Sequence, residues 1–493
     1  MRIPPKNINK AHNIKSKLPR IMFGVVVVLG LSIWAVHVYA KHKLSQLVLE
    51  RLPNSVELAY SAIDLNLFSG NVVLHEVNVG FLKNDNFKTK GTLDLDKFTI
   101  QGLDYRKLLS ENTFKANRVC IERGDLEIYD QNSSDIKLAM SDIALELRSF
   151  MADSSTLQQK IPFTYKTVDL SLGKLHVAIS PFEVLSIDSL FLRNGDLRTT
   201  SISIMSKYGK SQLSKKIQYE RDHIQLTIPN SSGKNMGMTL VNDSLKFSAD
   251  NVTFLNPRLA LYRDKLVTDN TVKKPLYDTM LNQLPIKLDI KTVVLEDGQV
   301  SYAEKTDKAV EPVSISFKSL DATINNLSNT NTQRTEVNAR AALMGKAPIT
   351  LDFSFQVKNQ NDTFLASSTL KNLEGSLINP FLESNANVRA QGLIKEMYFT
   401  ISGNGHKSTG DMKMKYQNFK FTVLDKDRLG INKTLTAIVN LFTNDGSKTD
   451  SDGYRYGKIE VERVPTKSFF NYLWLNTKDG LKNTVLGNGK KED

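Results

Sequence analysis

The sequence contains little cysteine, glycine or proline. Cys120 is the one cysteine among 493 residues, which excludes an internal disulfide. With 26 glycines and 14 prolines, both residue types are few for this length, and no Gly-, Pro- or Ser-rich linker follows residue 45. The absence of such linkers indicates one long folded region rather than a chain of separate domains.

Motifs of common catalytic, cofactor and metal sites are also lacking. The histidines show no HxH, HExxH or Cys/His spacing, and the chain has no GxSxG, P-loop or GxGxxG motif. The stretch GNGHKSTG (403–410) is glycine-rich, but it joins two predicted strands, which favours a hairpin loop. Cys120 is predicted on the non-core face of a hairpin, opposite Glu127, as a passive residue. We therefore expect no enzyme, no cofactor and no metal.

Positive charge is unevenly distributed. The net charge is +13, and the first 20 residues carry several basic side chains and no acidic one: Arg2, Lys6, Lys10, Lys15, Lys17 and Arg20. The rest of the chain shows no Lys/Arg stripe with interleaved aromatics, which argues against nucleic acid as a partner. Mild attraction to anionic lipid headgroups is compatible with this charge.

One long apolar run is present. Residues 21–40, IMFGVVVVLGLSIWAVHVYA, contain no Asp, Glu, Lys or Arg and are long enough to span a bilayer. By the positive-inside rule, residues 1–20 are predicted as a cytoplasmic basic tail, 21–40 as a single transmembrane anchor, and the remainder as exported. The alternative is a signal peptide cleaved after Val38-Tyr39-Ala40.

Apolar residues alternate with polar ones through most of the exported chain. Clear examples are YKTVDLSLGKLHVAIS (165–180), PVSISFKSLDATI (312–324), LDFSFQV (351–357) and MKMKYQNFKFTVL (412–424). A period of two is typical of half-buried β-strands. The sequence therefore predicts a mostly β fold from 55 to 427.

A short pattern recurs along this region: apolar-x-apolar-x-x-Gly-x-apolar. The copies are LNLFSGNVVL (65–74), VCIERGDLEI (119–128), LFLRNGDLRT (190–199), VTFLNPRLAL (252–261) and VVLEDGQVSY (293–302). Two residues between alternating runs, with glycine second, predict a tight β-hairpin. Pro257 replaces glycine in the fourth copy, so that copy must turn differently or be degenerate. Hairpins are common in every β protein, so the repeat alone identifies no fold.

The hairpin hypothesis specifies residue pairs. Around Asp297-Gly298 the expected pairs are Glu296 with Gln299, Leu295 with Val300, and Val293 with Tyr302. Around Arg123-Gly124 they are Ile121 with Leu126 and Val119 with Ile128, and around Asn194-Gly195 they are Leu192 with Leu197 and Arg193 with Asp196.

Helical patterns are expected at both ends of the predicted sheet. Residues 41–54 contain a short amphipathic helix, KLSQLVLERL (43–52), and 428–493 form a C-terminal helical region with one strand. Within that region we expect helices at 429–442 and from Pro465 onward, with a strand at 456–464. These helices are predicted to cap the sheet, although the aromatic helix after Pro465 could instead contact a membrane or a partner.

The sequence resembles the AsmA-like family, of the AsmA and TamB type, in four features. They are the anchor, the stretch VELAYSAIDLNLFSGNVVLHEVNV (56–79) that follows it, the repeated pattern, and GNGHKSTGDMKMKYQNFKFTVLDKD (403–427). The copy at 293–302 matches best, through Val293, Leu295, Asp297, Gly298, Val300 and Tyr302. The resemblance implies a long, twisted, largely antiparallel β-sheet curled into an apolar groove. It also implies a bacterial inner-membrane protein with a periplasmic C-terminal region, acting in outer-membrane biogenesis and phospholipid movement.

These expectations define a candidate lining for the groove, in contact with phospholipid or another acyl lipid. Its residues are Leu65, Leu67, Val72, Leu74, Val119, Ile121, Leu126, Ile128, Leu190, Leu192, Leu197, Val293, Leu295, Val300 and Tyr302. One alternative is a scaffold with a filled interior that docks an outer-membrane assembly partner. Another is an exported carbohydrate-active β-helix enzyme, which would need clustered carboxylates that the sequence does not show.

Overall fold

The computed structural model describes residues 56–486 except 67–68, 82–89, 112, 131–132, 134, 157–162, 242–243, 307–310, 360 and 425–448. The predicted tail, anchor and first amphipathic helix, and the helix predicted at 429–442, lie outside these residues. Within them, no helix has the length and apolar character needed to cross a membrane.

The fold is mostly β, with one large mixed sheet and a few short helices. The strands in the first part of the chain are β1 (Val56–Ala59), β2 (Ala62–Asn66), β3 (Asn71–Phe81), β4 (Gly91–Gln101), β5 (Phe114–Tyr129), β6 (Ile136–Ser141), β7 (Ala144–Ala152), β8 (Thr167–Leu172), β9 (Lys174–Ala178), β10 (Glu183–Ile187), β11 (Ser189–Arg193) and β12 (Asp196–Ser206). The later strands are β13 (Asp222–Lys234), β14 (Gly237–Val241), β15 (Ser244–Leu255), β16 (Arg258–Asp264), β17 (Lys287–Lys305), β18 (Ser314–Ser328), β19 (Arg334–Leu343), β20 (Ala347–Gln356), β21 (Phe364–Glu374), β22 (Val388–Gly403), β23 (Lys407–Val423) and β24 (Arg455–Glu462). The described helices are α1 (Tyr105–Glu111), α2 (Lys210–Lys216), α3 (Tyr277–Asn282), α4 (Gly375–Ala386) and α5 (Phe469–Leu486).

The chain divides into two compact units. The first comprises Met1–Ser203, Ser231–Ser248 and Pro285–Lys287, and the second comprises Ile204–Asn230, Ala249–Leu284 and Leu288–Asp493. Each unit has its own hydrophobic core.

In the first unit, successive strands pair antiparallel from β3 to β4 to β5. The long strand β5 then pairs with β7 along its first half and with β6 along its second half. Strands β8 and β9 continue this arrangement by pairing with β7 and β6. Beside β5, one strand position of the sheet is therefore occupied by two short strands placed end to end.

The hairpin predicted at Arg123-Gly124 is wrong. Strand β5 runs without reversal from Phe114 to Tyr129, and Ile121 pairs with Phe98 and Leu126 with Leu93, both on β4. Only Arg123 has a positive φ, of 47°, whereas Gly124 does not. A type I′ turn needs positive φ at both central residues, so the chain continues instead of turning. Cys120 accordingly lies beside Thr99 and Glu146, not Glu127, and it is buried.

The hairpin predicted at Asp297-Gly298 is wrong for the same reason. Strand β17 runs from Lys287 to Lys305, and a β-bulge interrupts its register with β18 between Leu295 and Val300. Asp297 has a φ of 47°, and Gly298 has no positive φ. Glycine at this position instead permits a close approach between β17 and β18, because a Cβ at Gly298 would lie 3.2 Å from the Leu320 carbonyl oxygen on β18.

The hairpin at Asn194-Gly195 is confirmed. Strands β11 and β12 pair antiparallel, with Leu192 opposite Leu197 and Arg193 opposite Asp196, as predicted. Both turn residues have positive φ, 51° at Asn194 and 81° at Gly195. The first copy also forms a hairpin, in which β2 pairs with β3 and Leu65 lies opposite Val72, but four residues rather than the predicted two separate the strands.

In the second unit, β13 pairs with β16, and β16 pairs in parallel with β17. From β17 through β24 each strand pairs antiparallel with the next. Helix α5 packs on the last strands and contributes Phe469, Tyr472 and Val485 to the core. The alternating stretches predicted as strands are confirmed, and the aromatic helix begins at Phe469 rather than at Pro465.

Candidate functional site

The predicted lining residues of β17 lie on one face of the sheet despite the wrong hairpin. Val293 and Leu295 precede the bulge, and Val300 and Tyr302 follow it. Side chains of a strand alternate between its two faces with a period of two. The additional residue at the bulge shifts this alternation by one, so the apolar face carries odd-numbered residues before the bulge and even-numbered residues after it. The bulge therefore keeps all four side chains on the same face along a single strand.

Neighbouring strands extend this face into an apolar ladder of two rungs. One rung is Leu226, Leu259, Val300 and Phe317, and the other is Ile224, Leu261, Tyr302 and Ile315. All eight side chains are half-buried, so each keeps part of its apolar surface accessible. Directly opposed residues in a sheet have adjacent side chains, so each rung forms a continuous apolar strip across four strands.

The reverse face of the same strands is polar. Gln225, Thr227, Arg258, Gln299 and Ser301 line a shallow cavity of about 310 Å³ there, together with Met205 and Ala260; the ladder residue Leu259 also borders this cavity. Residues at alternating positions of one strand therefore have different environments. This gives each ladder residue a matched control one position away, such as Ser301 for Val300.

The apolar ladder ends at a rung of charged residues. Asp222 lies opposite Arg263, and Arg263 lies opposite Glu304 on β17. The Arg263 guanidinium donates from Nε and Nη2 to the two carboxylate oxygens of Asp222, at 2.8 and 2.6 Å. The Tyr302 hydroxyl donates to Glu304, and burial, with this bond, raises the pKa of Tyr302. An apolar ligand on the ladder would thus meet charged groups at this end.

Glu220 is the centre of an ionic cluster beside that rung, formed by Glu220, Asp222, Arg263, Lys265 and Lys467. Its carboxylate is almost fully buried, with a side-chain exposure of 1%. It accepts hydrogen bonds from Lys265 at 2.8 Å and from Lys467 at 2.9 Å. Burial opposes ionisation of Glu220, but these two bonds outweigh it and lower the pKa.

The lining residues predicted in the first unit fall into two groups. Val72, Leu74, Val119, Ile121, Leu126 and Ile128 are at most 6% exposed and belong to a closely packed core. Leu190, Leu192 and Leu197 are half-buried. Leu67 lies outside the described residues, and only the backbone pairing of Leu65 is described. The interior at β3 to β5 is therefore filled by side chains, whereas β11 and β12 keep partly accessible apolar residues.

The predicted lining included only Val300 and Tyr302 of the eight ladder residues. Ile224 and Leu226 lie in HIQLTI (223–228), which has a clear period of two. Leu259 and Leu261 follow Pro257, in the copy expected to turn differently or to be degenerate. There Asn256, with a φ of 52°, separates β15 from β16, which do not form a hairpin with each other. Alternation was therefore a better signal than the turn residues.

Chemically reactive groups are few in the described part of the chain. No group of three or more His, Cys, Asp or Glu side chains there is arranged to hold a metal ion. Burial raises the pKa of Cys120, which disfavours the nucleophilic thiolate.

Helix α5 separates its aromatic residues between two environments. Phe469 packs edge-on against Phe364 at 5.2 Å and contacts Phe353 at 4.9 Å between ring centroids. Tyr472 is buried beside the same Phe364 ring. Phe470 and Trp474 point away and are exposed.

A scan of the sequence against protein-family models finds no match. A search of curated proteins finds none either.

Proposed function

We propose that this chain is a non-enzymatic, membrane-anchored periplasmic protein of envelope biogenesis that binds or conducts phospholipid along an apolar face of its sheet. The observation that carries the proposal is the apolar ladder of the second unit, with its half-buried side chains and polar reverse face. The resemblance of the sequence motifs to the AsmA-like family supports the cellular setting.

The chemistry of the ladder suits an acyl chain. Each methylene removed from water contributes roughly 0.8 kcal/mol, without any specific polar contact. Leu, Ile, Val and Phe side chains offer no competing hydrogen-bonding groups, and the charged rung at Arg263 marks where the apolar surface ends. A phospholipid headgroup can remain near such charged groups while its tail covers the ladder.

Aligned strand irregularities favour bent strands within each unit. In the first unit, Glu76 and Arg123, with φ of 46° and 47°, both lie beside Asp96 of the intervening strand β4. In the second unit, Asn256 and Asp297 are neighbours, and the Asn256 amide donates to the Asp297 carboxylate at 2.8 Å. Bulges bend strands and increase their twist, so irregularities at matching positions would bend neighbouring strands together.

Site-specific photo-crosslinking in cells tests lipid binding. A photoreactive residue at Val300 should capture phospholipid or another acyl lipid, and the same residue at Ser301, on the polar reverse face, should capture little. The pair Leu295 and Glu296 provides a second contrast before the bulge. Equal capture on both faces, or no capture at Val300 in a folded protein, would refute the lipid proposal.

The alternative is a scaffold that docks an outer-membrane assembly partner. It is favoured by the filled interior of the first unit, where Val72, Leu74 and Leu126 are at most 3% exposed. Capture of a protein rather than lipid at Val300 would support it. Both functions need an exported C-terminal region, so an alkaline phosphatase fusion after Gly487 should be active, and an inactive fusion would exclude both.

A further inference from the structure

Helix α5 has one exposed stripe with a simple composition. Phe470, Trp474, Lys478 and Lys482 are all exposed and follow each other at intervals of four residues. Residues four apart lie on the same side of a helix. The stripe therefore has two aromatic side chains at its beginning and two lysines after them.

The aromatic half of this stripe is unusually accessible. Phe470 is 69% exposed, the highest value among the large apolar side chains that the structure describes, and Trp474 is 42% exposed. Val464, shortly before the helix, is also exposed. Aromatic residues on the same helix could be buried, as Phe469 and Tyr472 show, so the exposed pair is not forced outward by lack of a core. Clustered exposed apolar residues often mark a contact surface.

The lysine half carries unbalanced positive charge. Within the described part of the chain, neither Lys478 nor Lys482 forms an ion pair. Asp479, the only acidic residue of α5, is directed toward β24, since its carboxylate accepts the backbone N–H of Glu460 at 3.0 Å. The exposed stripe is consequently cationic at one end and aromatic at the other.

We propose that this stripe docks on the surface of an anionic phospholipid bilayer. Tryptophan and phenylalanine are favoured at the boundary between headgroups and acyl chains, and lysines bind the anionic headgroups. The occupant is assigned from this charge complementarity. Lysine is depleted at the centre of protein interfaces, which makes a protein partner the weaker fit. The proposal concerns α5 alone and does not depend on lipid binding by the apolar ladder.

Fluorescence of Trp474 tests the proposal directly. The chain has two tryptophans, Trp34 and Trp474, so Trp34→Phe in the full chain leaves Trp474 as the only reporter. This protein, held in nanodiscs of neutral phosphatidylcholine, is mixed with vesicles of brominated phosphatidylglycerol. Bromine quenches tryptophan only at short range. We expect quenching that saturates with vesicle concentration and weakens in high salt.

Variants distinguish docking from incidental contact. The double variant Lys478→Gln with Lys482→Gln should weaken binding about thirtyfold. Each lysine near an anionic membrane surface contributes about 1 kcal/mol, and about 1.4 kcal/mol corresponds to a tenfold change in affinity. Phe470→Ser should also weaken it, whereas Lys318→Gln with Lys346→Gln, two exposed lysines elsewhere in the second unit, should not. The proposal is overturned by absent quenching, or by equal binding to brominated phosphatidylcholine vesicles. It is also overturned by an emission shift that depends on the concentration of nanodisc-held protein when no vesicles are added, which would indicate a second copy as the occupant.

Discussion

Lys467 Nζ lies 2.9 Å from Glu220 Oε1, although 247 residues separate them along the chain. Lys467 also contacts Asp269 at 2.8 Å, and Glu220 contacts Lys265 at 2.8 Å. The segment before α5, the segment before β13 and the segment after β16 thus meet at one buried carboxylate. This ionic cluster connects the charged end of the apolar ladder to the helix that carries the exposed stripe.

Replacement of Glu220 should destabilise the second unit strongly. In Glu220→Gln, the buried Arg263 and the half-buried Lys265 and Lys467 lose a shared negative partner. Breaking a buried ion pair from one side typically costs about 3–5 kcal/mol. Urea unfolding measures the loss. Asp269→Asn, at a carboxylate whose side chain is 65% exposed, should cost less than about 1 kcal/mol. Similar losses in both variants would contradict a central role for Glu220.

The same residue predicts a pH dependence. The pKa of Glu220 is lower in the folded protein than its ordinary value of 4.5. Between these two values the unfolded chain binds more protons, so stability rises with pH. The contribution of Glu220 is therefore complete above the ordinary value and is lost as pH falls through the lowered pKa of the folded state. Acid unfolding of wild type and Glu220→Gln should show a shallower pH dependence in the variant, and parallel curves would contradict this assignment.

Disulfide formation can distinguish a bulge from a hairpin. In the double variant Glu296→Cys with Gln299→Cys, the two cysteines would face each other if the chain formed a hairpin. Along a continuous strand their Cα atoms are roughly 9–10 Å apart, which is too far for a disulfide. Arg193→Cys with Asp196→Cys has the same spacing in the sequence and pairs across the confirmed hairpin. Under mild oxidation, mass spectrometry should detect a disulfide only in the second variant. A disulfide in both would mean that the chain reverses at Asp297.

The docking of α5 on β24 depends on a glycine. A Cβ at Gly457 would lie 2.4 Å from the backbone nitrogen of Thr484, so Gly457→Ala must displace the helix. We expect a loss of about 1–3 kcal/mol in unfolding free energy, as for other overpacked sites. Gly405→Ala is the control, because its nearest neighbouring atom would be 4.0 Å away. If Gly457→Ala unfolds like wild type, the close approach of the helix is incorrect.

Sequence alone determined which residues share a face of the sheet. The alternation in the sequence predicts one apolar face for Val293, Leu295, Val300 and Tyr302, and the register of β17 with β16 and β18 places them on one face. Alternation fixes this assignment because successive side chains of a strand point to opposite sides. The same reasoning located β8, β9, β18, β20, β23 and β24, and it failed to predict α1 to α4, which are short.

Only the tertiary structure decided whether the chain reverses or continues at each glycine. A two-residue hairpin and an inserted bulge residue both shift the alternation by one position, so they produce the same apolar pattern. Asn194 and Gly195 both adopt positive φ and the chain turns, whereas at Arg123-Gly124 and Asp297-Gly298 only the first residue does. The neighbouring strands determine this difference. At Arg123-Gly124, two hydrogen bonds between the backbones of Gly124 and Ile143, at 2.9 and 2.7 Å, stabilise the continuous strand. At Asp297-Gly298, a hydrogen bond from the Asp297 N–H to the Asp321 carboxylate, at 3.0 Å, does the same. These partners are distant in the sequence, so local residue preferences could not reveal them.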